Sequence, residues 1–392
     1  MPWKETNVLE ERAKFVISAG EGWTMAELCR GFGISRKTGY KYLRRYEEGG
    51  FGALHDRSRA PHTRPNTTPQ KVVELLVTAR EAHPNWGPRK LIPFLKKRHP
   101  KVSFPAGSTA GDILKRHGLV KPRKRQRTLT PKTQPFIDVM QPNDVWTADY
   151  KGWFRTRNGK RCEPLTVMDC CTRRLLTCKG CPSTEHEYAH THFKSAFKKY
   201  GLPLAIRTDN GGPFSFRGIA GLSYLSVWWL KLGIIPERID PGRPDQNSRH
   251  ERMHLTLKQE TTFPPQETME EQQKSFDHFK NEYNNQRPHE ALGNKTPSSL
   301  YHSSPRRYPR RIKGFGYDGH LEVKTVNVKG NIIWKGTHLH LSYTLRDESV
   351  GFEQVAENRW KLFLGPMEIG LFDDRTKRIL KYTKGILRKN SE

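Results

Sequence analysis

The segment NDVWTADY, residues 143–150, alternates in character: Val145, Thr147 and Asp149 fall on one side of a two-residue period and Trp146, Ala148 and Tyr150 on the other. That period predicts a strand. It also leaves Asp149 in mid-strand, where aspartate is disfavoured and asks for a functional explanation. The stretch EPLTVMDCCTRRLLTCKG predicts two more strands around a turn at Asp169 to Arg173, in a meander with the first. A helix is expected from near Ser183 to a C-cap at Gly201, then a strand in LPLAIRTDNGG, then an amphipathic helix in LSYLSVWWLKLG. Residues 240–247 are turn formers, and a further helix starts at Ser248 with Glu251, Leu255 and Lys258 on neighbouring turns.

Upstream, the periodicity is helical. Val8, Leu9, Phe15 and Val16 form an apolar stripe over residues 8–19, TMAELCRGFG follows, and Ser35 is a natural N-cap for SRKTGYKYLRRYEEGG. In that last helix Tyr40, Leu43 and Tyr46 are expected to face the core, while Arg36, Lys37, Lys41, Arg44 and Arg45 project outward as a recognition helix requires. A Pro- and Arg-rich linker, HDRSRAPHTRP, leads to a second helical unit running from TPQKVVELLVTAREAHP to SFPAGSTAGDILKRHGL, its last short helix starting after Ser108. The pattern therefore predicts helix-turn-helix units over residues 1–60 and 65–120. Lys121, Arg123, Lys124, Arg125 and Arg127 show no apolar period, so 121–137 reads as a basic linker suited to lie along phosphates.

Beyond residue 304 a basic, Pro-containing linker (305–320) precedes short alternating segments with close turns, LEVKTVNVKGNIIWKGTHLHLS, RWKLFLG and MEIGLF. These predict a small all-β barrel over 321–392.

Composition narrows the partner. The 392 residues carry 69 Lys+Arg against 40 Asp+Glu, a formal charge of +29, and such an excess points to a polyanion, with nucleic acid first. A membrane surface is the competing partner, but no apolar run approaches the roughly 18 residues of a spanning helix. The N-terminal MPWKETNVLEERAKF lacks the apolar core of a secretion signal, so the chain is expected in the cytoplasm, on the nucleoid of a bacterium-like cell. Six cysteines do not make a disulfide framework. Cys178 and Cys181 form a Cys-x-x-Cys pair near Cys162, Cys170, Cys171, His186, His190 and His192; one such pair is a weak zinc signal, and small buried hydrophobes are the favoured reading.

Three carboxylates remain to be explained. Asp149 sits in a strand, Asp209 at a strand end before Asn-Gly-Gly, and Glu251 at a helix start. Ser248 and Glu251 also match a capping box, in which the Glu simply bonds back to the cap, and both readings stand at this point. If the three converge, ionised carboxylates about 5 Å apart repel by roughly 3 kcal/mol per pair at an effective dielectric near 20. A hard divalent cation resolves that conflict, and a pair of such ions suits in-line phosphoryl displacement.

The segments VWTADYKGWF, LTVMDCCTRRLLTC, IRTDNGGPF, LSVWWLKLGI, ERIDPGRPDQNSRHERMHLTLKQE and YNNQRPHEAL resemble the integrase-core (DDE) transposases of bacterial insertion sequences, relatives of retroviral integrases. The resemblance runs from the N-terminal helix-turn-helix to about Ser304 and implies an α/β RNase H-like core over 138–304. It implies that Asp149, Asp209 and Glu251 are the catalytic, metal-binding triad for two Mg²⁺ or Mn²⁺ ions. It further implies nicking at element ends, 3′-hydroxyl attack on target DNA, and a homo-oligomer on double-stranded DNA. Lys258 is the implied contact to the element end; Arg252 or His250, flanking Glu251, reads either as a phosphate contact or as an exposed helix residue. Two features depart from the family: Ser248 stands where a glycine is usual, and the gap of roughly forty residues from Asp209 to Glu251 is longer than usual, which a loop tolerates. A DNA-binding regulator without the chemistry, or a structure-specific nuclease, would use the same scaffold.

Overall fold

The structure is a computed structural model and describes residues 7–58, 67–120, 137–240 and 244–387. The chain divides into two compact units, Met1–Thr68 and Pro69–Glu392.

The first unit holds α1 (Val8–Gly20), α2 (Met25–Gly31) and α3 (Arg36–Gly49). Side chains supply the orphan N–H groups of the helix starts: Asn7 accepts from Leu9, Thr24 and Glu27 form a capping box, and Ser35 accepts from Thr38. Phe15, Val16, Leu28, Cys29 and Leu54 make the core. The three helices meet at Gly39, where a Cβ would stand 2.7 Å from Cys29 Sγ and 2.9 Å from Phe15 Cζ. That close approach sets the rotation of α3. Gly39, Tyr42, Leu43 and Tyr46 turn inward, and Tyr40, expected inside, is 58% exposed on the same side as Arg36, Lys37 and Lys41. Val8 is likewise exposed, as the first residue of its helix.

The second unit opens with α4 (Gln70–Ala82), α5 (Pro88–Arg98) and α6 (Gly107–Arg116), packed around Leu76, Trp86, Leu91 and Leu114. Ser108 lies inside α6 rather than before it, because the helix already starts at Gly107. This bundle is tied to the rest of its unit by His83 Nδ1 against Glu282 Oε1 at 3.0 Å and by Arg89 Nη1 donating to Glu290 Oε1 at 2.7 Å.

The central sheet contains β1 (Val145–Tyr150), β2 (Phe154–Arg155), β3 (Arg161–Asp169) and β4 (Leu175–Cys181), followed after α7 (His186–Tyr200) by β5 (Ala205–Thr208) and, after α8 (Tyr224–Lys231), by β6 (Ile235–Arg238). β3 pairs antiparallel with β1, β2 and β4; β1–β5 and β5–β6 are parallel. Three antiparallel strands joined to two parallel ones through crossover helices is the arrangement expected of an RNase H-like core. The helix expected from Ser183 begins at His186, with Glu185 as its N-cap. Helices α9 (Ser248–Thr261), α10 (Met269–Asn285) and the short α11 (Pro297–Leu300) complete the core. One sheet face, carrying Trp146, Ala148, Leu165 and Val167, packs on Phe193, Phe197, Leu225 and Trp229 of α7 and α8. The other, carrying Cys162, Met168 and Cys178, packs on Met253 and Leu257 of α9 and on Phe276 and Phe279 of α10. The sheet is thus covered on both sides, as parallel strands require.

The basic stretch 305–320 lies on this core: Arg306 donates to the carbonyls of Pro203 and Gly233, and Tyr308 and Ile312 pack against the α7/α8 side. Beyond it stand β7 (Glu322–Thr325), the hairpin β8 (Asn331–Trp334) and β9 (Thr337–His340), then β10 (Ser349–Ala356), β11 (Arg359–Leu364), β12 (Met367–Asp373) and β13 (Arg378–Leu387). The segment is all-β, but it is not a closed barrel. Five of its strands run β13-β12-β11-β10-β7 beside the separate β8–β9 hairpin, and among the described residues β13 and β7 pair with no further strand. The reason lies in the packing: Ile219, Leu222, Val227 and Leu230 of the core sit in the same cluster as Val350, Phe352, Leu362 and Ile369. A sheet whose apolar side is covered by another part of the chain has no need to close on itself.

Candidate active site

The alternation of β1 decides what Asp149 faces. Trp146 and Ala148 point to α7 and α8, so Thr147 and Asp149 point to α9. Asp149 stands opposite Thr166 of β3. Behind it lies a buried polar network: Thr166 Oγ1 donates to the Asp149 carbonyl at 3.0 Å and lies 2.7 Å from His250 Nε2 and 2.6 Å from His254 Nε2, while His250 Nδ1 lies 2.7 Å from Thr147 Oγ1. A hydroxyl has one proton. With Thr166 giving its own to the Asp149 carbonyl, both imidazoles donate from Nε2, which leaves His250 Nδ1 to accept from the Thr147 hydroxyl at 2.7 Å in preference to the Met168 carbonyl, 3.3 Å from the same hydroxyl. Burial keeps both rings neutral, pushing His250 down to about 3 and His254 lower still. His254 Nδ1 is 3.6 Å from Asp149 Oδ2, beyond a hydrogen bond. His250, a phosphate candidate by its place beside Glu251, is fully buried between α9 and the sheet and cannot reach a phosphate.

Asp209 follows the last residue of β5, where the buried ion pair of Arg207 with Glu237 of β6 secures the strand end. Its Oδ1 accepts from the Gly211 N–H at 3.1 Å, and Asn210 Nδ2 donates to the Ile239 carbonyl at 2.8 Å, which fixes the turn. A Cβ on Gly211 would stand 3.0 Å from Asp209 Oδ2, whereas Gly212 has open space around it. The two glycines keep bulk away from the carboxylate and its approach.

Glu251 is on the first turn of α9, exposed to solvent. The expected capping box with Ser248 is not formed. A 3₁₀ turn, Pro244–Asn247, runs directly into the helix, Ser248 is already its first residue, and Asn247 holds the N-cap position without a side-chain bond. The Glu251 side chain is therefore not engaged as a cap.

The three carboxylates are electrostatically in contact. Burial raises Asp149 from the usual 3.8 to about 7, and the Asp209 and Glu251 carboxylates push the same way. Burial also raises Asp209, against the Gly211 N–H that favours its ionised form. Among the described residues no three His, Cys, Asp or Glu side chains are gathered into a finished metal cage. The donor chemistry nonetheless fits a hard cation: oxygen ligands on three separate elements, with one carboxylate held short of its charge by burial first and then by the other two.

Sequence reasoning missed Lys151. It stands two residues beyond Asp149, and its ammonium is disfavoured by burial and by nearby Lys258, while Asp149 favours it. A lysine after a strand looks like any surface lysine until α9 is placed over it. It also missed Arg173, whose charge is disfavoured by burial and then by Arg249 and Arg252; the Arg249 guanidinium donates to the Cys170 carbonyl at 3.0 Å. Arg252 and Lys258 are exposed, with Lys258 Nζ 5.1 Å from the Phe263 ring. In the first unit Arg36, Lys37, Lys41 and Arg44 are exposed along α3, and Arg45 is half-buried against Tyr42. Arg123, Lys124 and Arg125 lie outside the described residues.

The cysteine pair does not converge. Cys178 and Cys181 are three apart on β4, so they point to opposite faces; Cys178 packs with α10 and Cys181 with α7. Burial pushes their thiols up to about 12 and about 11. His190 packs on Trp228, with 4.3 Å between ring centres. No helix among the described residues is long and apolar enough to cross a membrane.

Comparisons with known proteins bear on this arrangement. Two family models described as integrase core domain match residues 140–244 and 232–297. Models for a helix-turn-helix domain and a homeodomain-like domain match residues 11–62 and 38–114. An uncharacterized 39.2 kDa protein of insertion element IS476 from Xanthomonas euvesicatoria is 27% identical over 239 residues, covering 60% of this chain and 66% of that protein. An uncharacterized 31.7 kDa protein of IS407 from Burkholderia multivorans is 29% identical over 179 residues, covering 45% and 62%. The chain thus spans just under two thirds of the length of these relatives. Among solved structures, the HTLV-2 integrase catalytic core domain in complex with magnesium is 15% identical with a TM-score of 0.34, covering 42% of this chain and 100% of that one. A simian T-cell lymphotropic virus intasome chain is 15% identical with a TM-score of 0.37, covering 76% and 100%. With integrase-core matches over the sheet and α9, helix-turn-helix matches ahead of them and insertion-element proteins as relatives, the chain belongs to the DDE integrase family of insertion-sequence transposases.

Proposed function

We propose that this chain binds the terminal repeats of an insertion sequence, cleaves a DNA strand there, and transfers the freed 3′-hydroxyl into target DNA. The observation that carries this reading is the charge conflict at Asp149, raised to about 7 by burial with Asp209 and Glu251 adding to it. A folded protein relieves such a conflict with a cation, and Asp149, Asp209 and Glu251 are the residues that would hold Mg²⁺ or Mn²⁺. When bound, the metal supplies Lewis-acid stabilisation of the phosphate and of the attacking and leaving oxygens.

The chain's own residues do the remaining work. Gly211 and Gly212 leave a DNA backbone free to approach Asp209. Arg252 and Lys258, exposed on α9, hold phosphates beside Glu251, and Lys151 adds charge between Asp149 and Lys258. Thr166, His250 and His254 fix the spacing of α9 from β1 and β3 and so the relative placement of Glu251 and Asp149. Upstream, α3 presents Arg36, Lys37, Lys41 and Arg44 in the manner of a recognition helix. The domain plan of two helix-turn-helix units, a catalytic core and a C-terminal β segment, acting as a homo-oligomer on paired DNA ends in the bacterial cytoplasm, belongs to the same proposal.

The test uses the purified full chain, a labelled duplex carrying the terminal repeat, and Mg²⁺, beside Asp149→Asn, Asp209→Asn and Glu251→Gln. Wild type is expected to nick the end and join it to target DNA. Each variant is expected to bind but react roughly 10²-fold or more slowly, as the loss of several kcal/mol of charge stabilisation implies. Wild type that binds tightly and stays inert would make the chain a DNA-binding regulator; a fully active Glu251→Gln would remove Glu251 from the metal set.

A further inference from the structure

The rotation that Gly39 imposes on α3 leaves one tyrosine without a part in the fold. Tyr42 packs under the Arg12 guanidinium, 4.5 Å from its ring centre, and Tyr46 meets the Phe51 ring at 4.9 Å. Tyr40, 58% exposed, has neither a hydrogen bond nor a ring contact among the described residues. The helix does not call for a ring at that position, since alanine or glutamine favours an exposed helical site more than tyrosine does. The charges around it are distributed unevenly. Arg36 and Lys37 lie one turn before Tyr40, Lys41 beside it and Arg44 one turn after, all exposed. The acids of α3, Glu47 and Glu48, are confined to its last turn, where Glu48 holds Arg44 at 3.3 Å. Residues 36–41 therefore form a wholly basic half. Thr38, the other uncharged side chain there, is tied to Ser35 Oγ at 2.9 Å, which leaves Tyr40 as the one apolar group this half presents. In a helix-turn-helix the second helix of the motif, here α3 following α2, sets its N-terminal residues against base edges.

We infer that Tyr40 is a specificity-determining residue that recognises thymine: flanked by the cations of α3, its ring lies against the 5-methyl group of one thymine in the major groove. The choice of base follows from the ring. That methyl is the one apolar group the base pairs offer in the major groove, and it is recognised by apolar contact. Arginine and lysine hold phosphates or bond to guanine and give a methyl group no apolar partner. This inference rests on the DNA-binding reading of α3 above.

The test removes the methyl group from the DNA and the ring from the protein, separately and together. The full chain first selects duplexes from a random-sequence library, and each thymine of the selected site is then replaced in turn by uracil, which lacks only the methyl group. At one position wild type is expected to lose about fourfold in affinity, as one buried methyl group implies. Tyr40→Ala changes an exposed side chain, so Tm should stay within about 3 °C of wild type. It should bind the thymine duplex more weakly by at least that factor and no longer distinguish it from the uracil duplex at that position. Its salt slope should match wild type, because Tyr40 neutralises no phosphate. Tyr40→Phe keeps the ring and should keep the distinction. The inference is overturned by a wild type that selects no sequence or is indifferent to uracil throughout, by a Tyr40→Ala that still responds as wild type does, or by a Tyr40→Phe that does not. The terminal-repeat reading is judged by where the selected site lies: a site outside the element ends contradicts that reading, while a loss on uracil that depends on Tyr40 still supports this one.

Discussion

At the residue scale Asp149 carries the most information. Its native-state value of about 7 lies above the ordinary 3.8, so the folded chain holds this proton more tightly than the unfolded chain. Between about pH 4 and 7 the native state binds more protons, and stability therefore falls as pH rises through that window. Three units correspond to about 4 kcal/mol as an upper bound. Without divalent ions, Asp149→Asn should thus melt several degrees above wild type at pH 8 and close to it at pH 4, and added Mg²⁺ should raise wild type but not the variant. Melting curves at both pH values, with EDTA and with Mg²⁺, decide it; a variant less stable than wild type at pH 8 in EDTA would mean that the carboxylate is not strained. The oddity of this residue was legible in the sequence because an aspartate in a strand violates a local rule. Lys151, Thr166 and His254 violate none. Their roles come from β3 and α9 arriving at β1, contacts separated by 17 to 107 positions that no local pattern encodes.

At the element scale the helices and strands follow their periods, and the differences lie where a neighbouring element overrides the local signal. The Ser248–Glu251 match to a capping box is real as sequence, yet the 3₁₀ turn before it moves the helix start by one residue and dissolves the box. In α3 the apolar period points to Tyr40 with Leu43 and Tyr46 as the inward set, but Gly39 settles the phase and turns Tyr42 inward instead, because there three helices approach closely. Gly39→Ala should therefore cost the first unit about 1–3 kcal/mol, although alanine favours the helix itself by about 1 kcal/mol. Chemical denaturation read from the helical signal of the unit checks this; a stabilised variant would show that the contact at Gly39 is loose.

At the scale of the whole molecule, the C-terminal β segment shows the limit of local reading. Short strands with close turns suggested a barrel, and strands are what form, but whether a sheet closes depends on what else covers its apolar side. Here Ile219, Leu222, Val227 and Leu230 of the core do so. The integrase-core order of strands and the helix-turn-helix units were accessible because each is written in a contiguous stretch. The candidate site was accessible only in part, since its carboxylates are marked locally and its supporting shell is not.

The central claim is that Asp149, Asp209 and Glu251 form one divalent-cation site. The most direct measurement is a crystal structure of the full chain grown with Mn²⁺, read by anomalous difference density. The account predicts a peak contacted by carboxylate oxygens of all three residues, and its loss in Asp149→Asn. Density elsewhere, or a peak at Asp149 and Asp209 with Glu251 turned away to solvent, would contradict it.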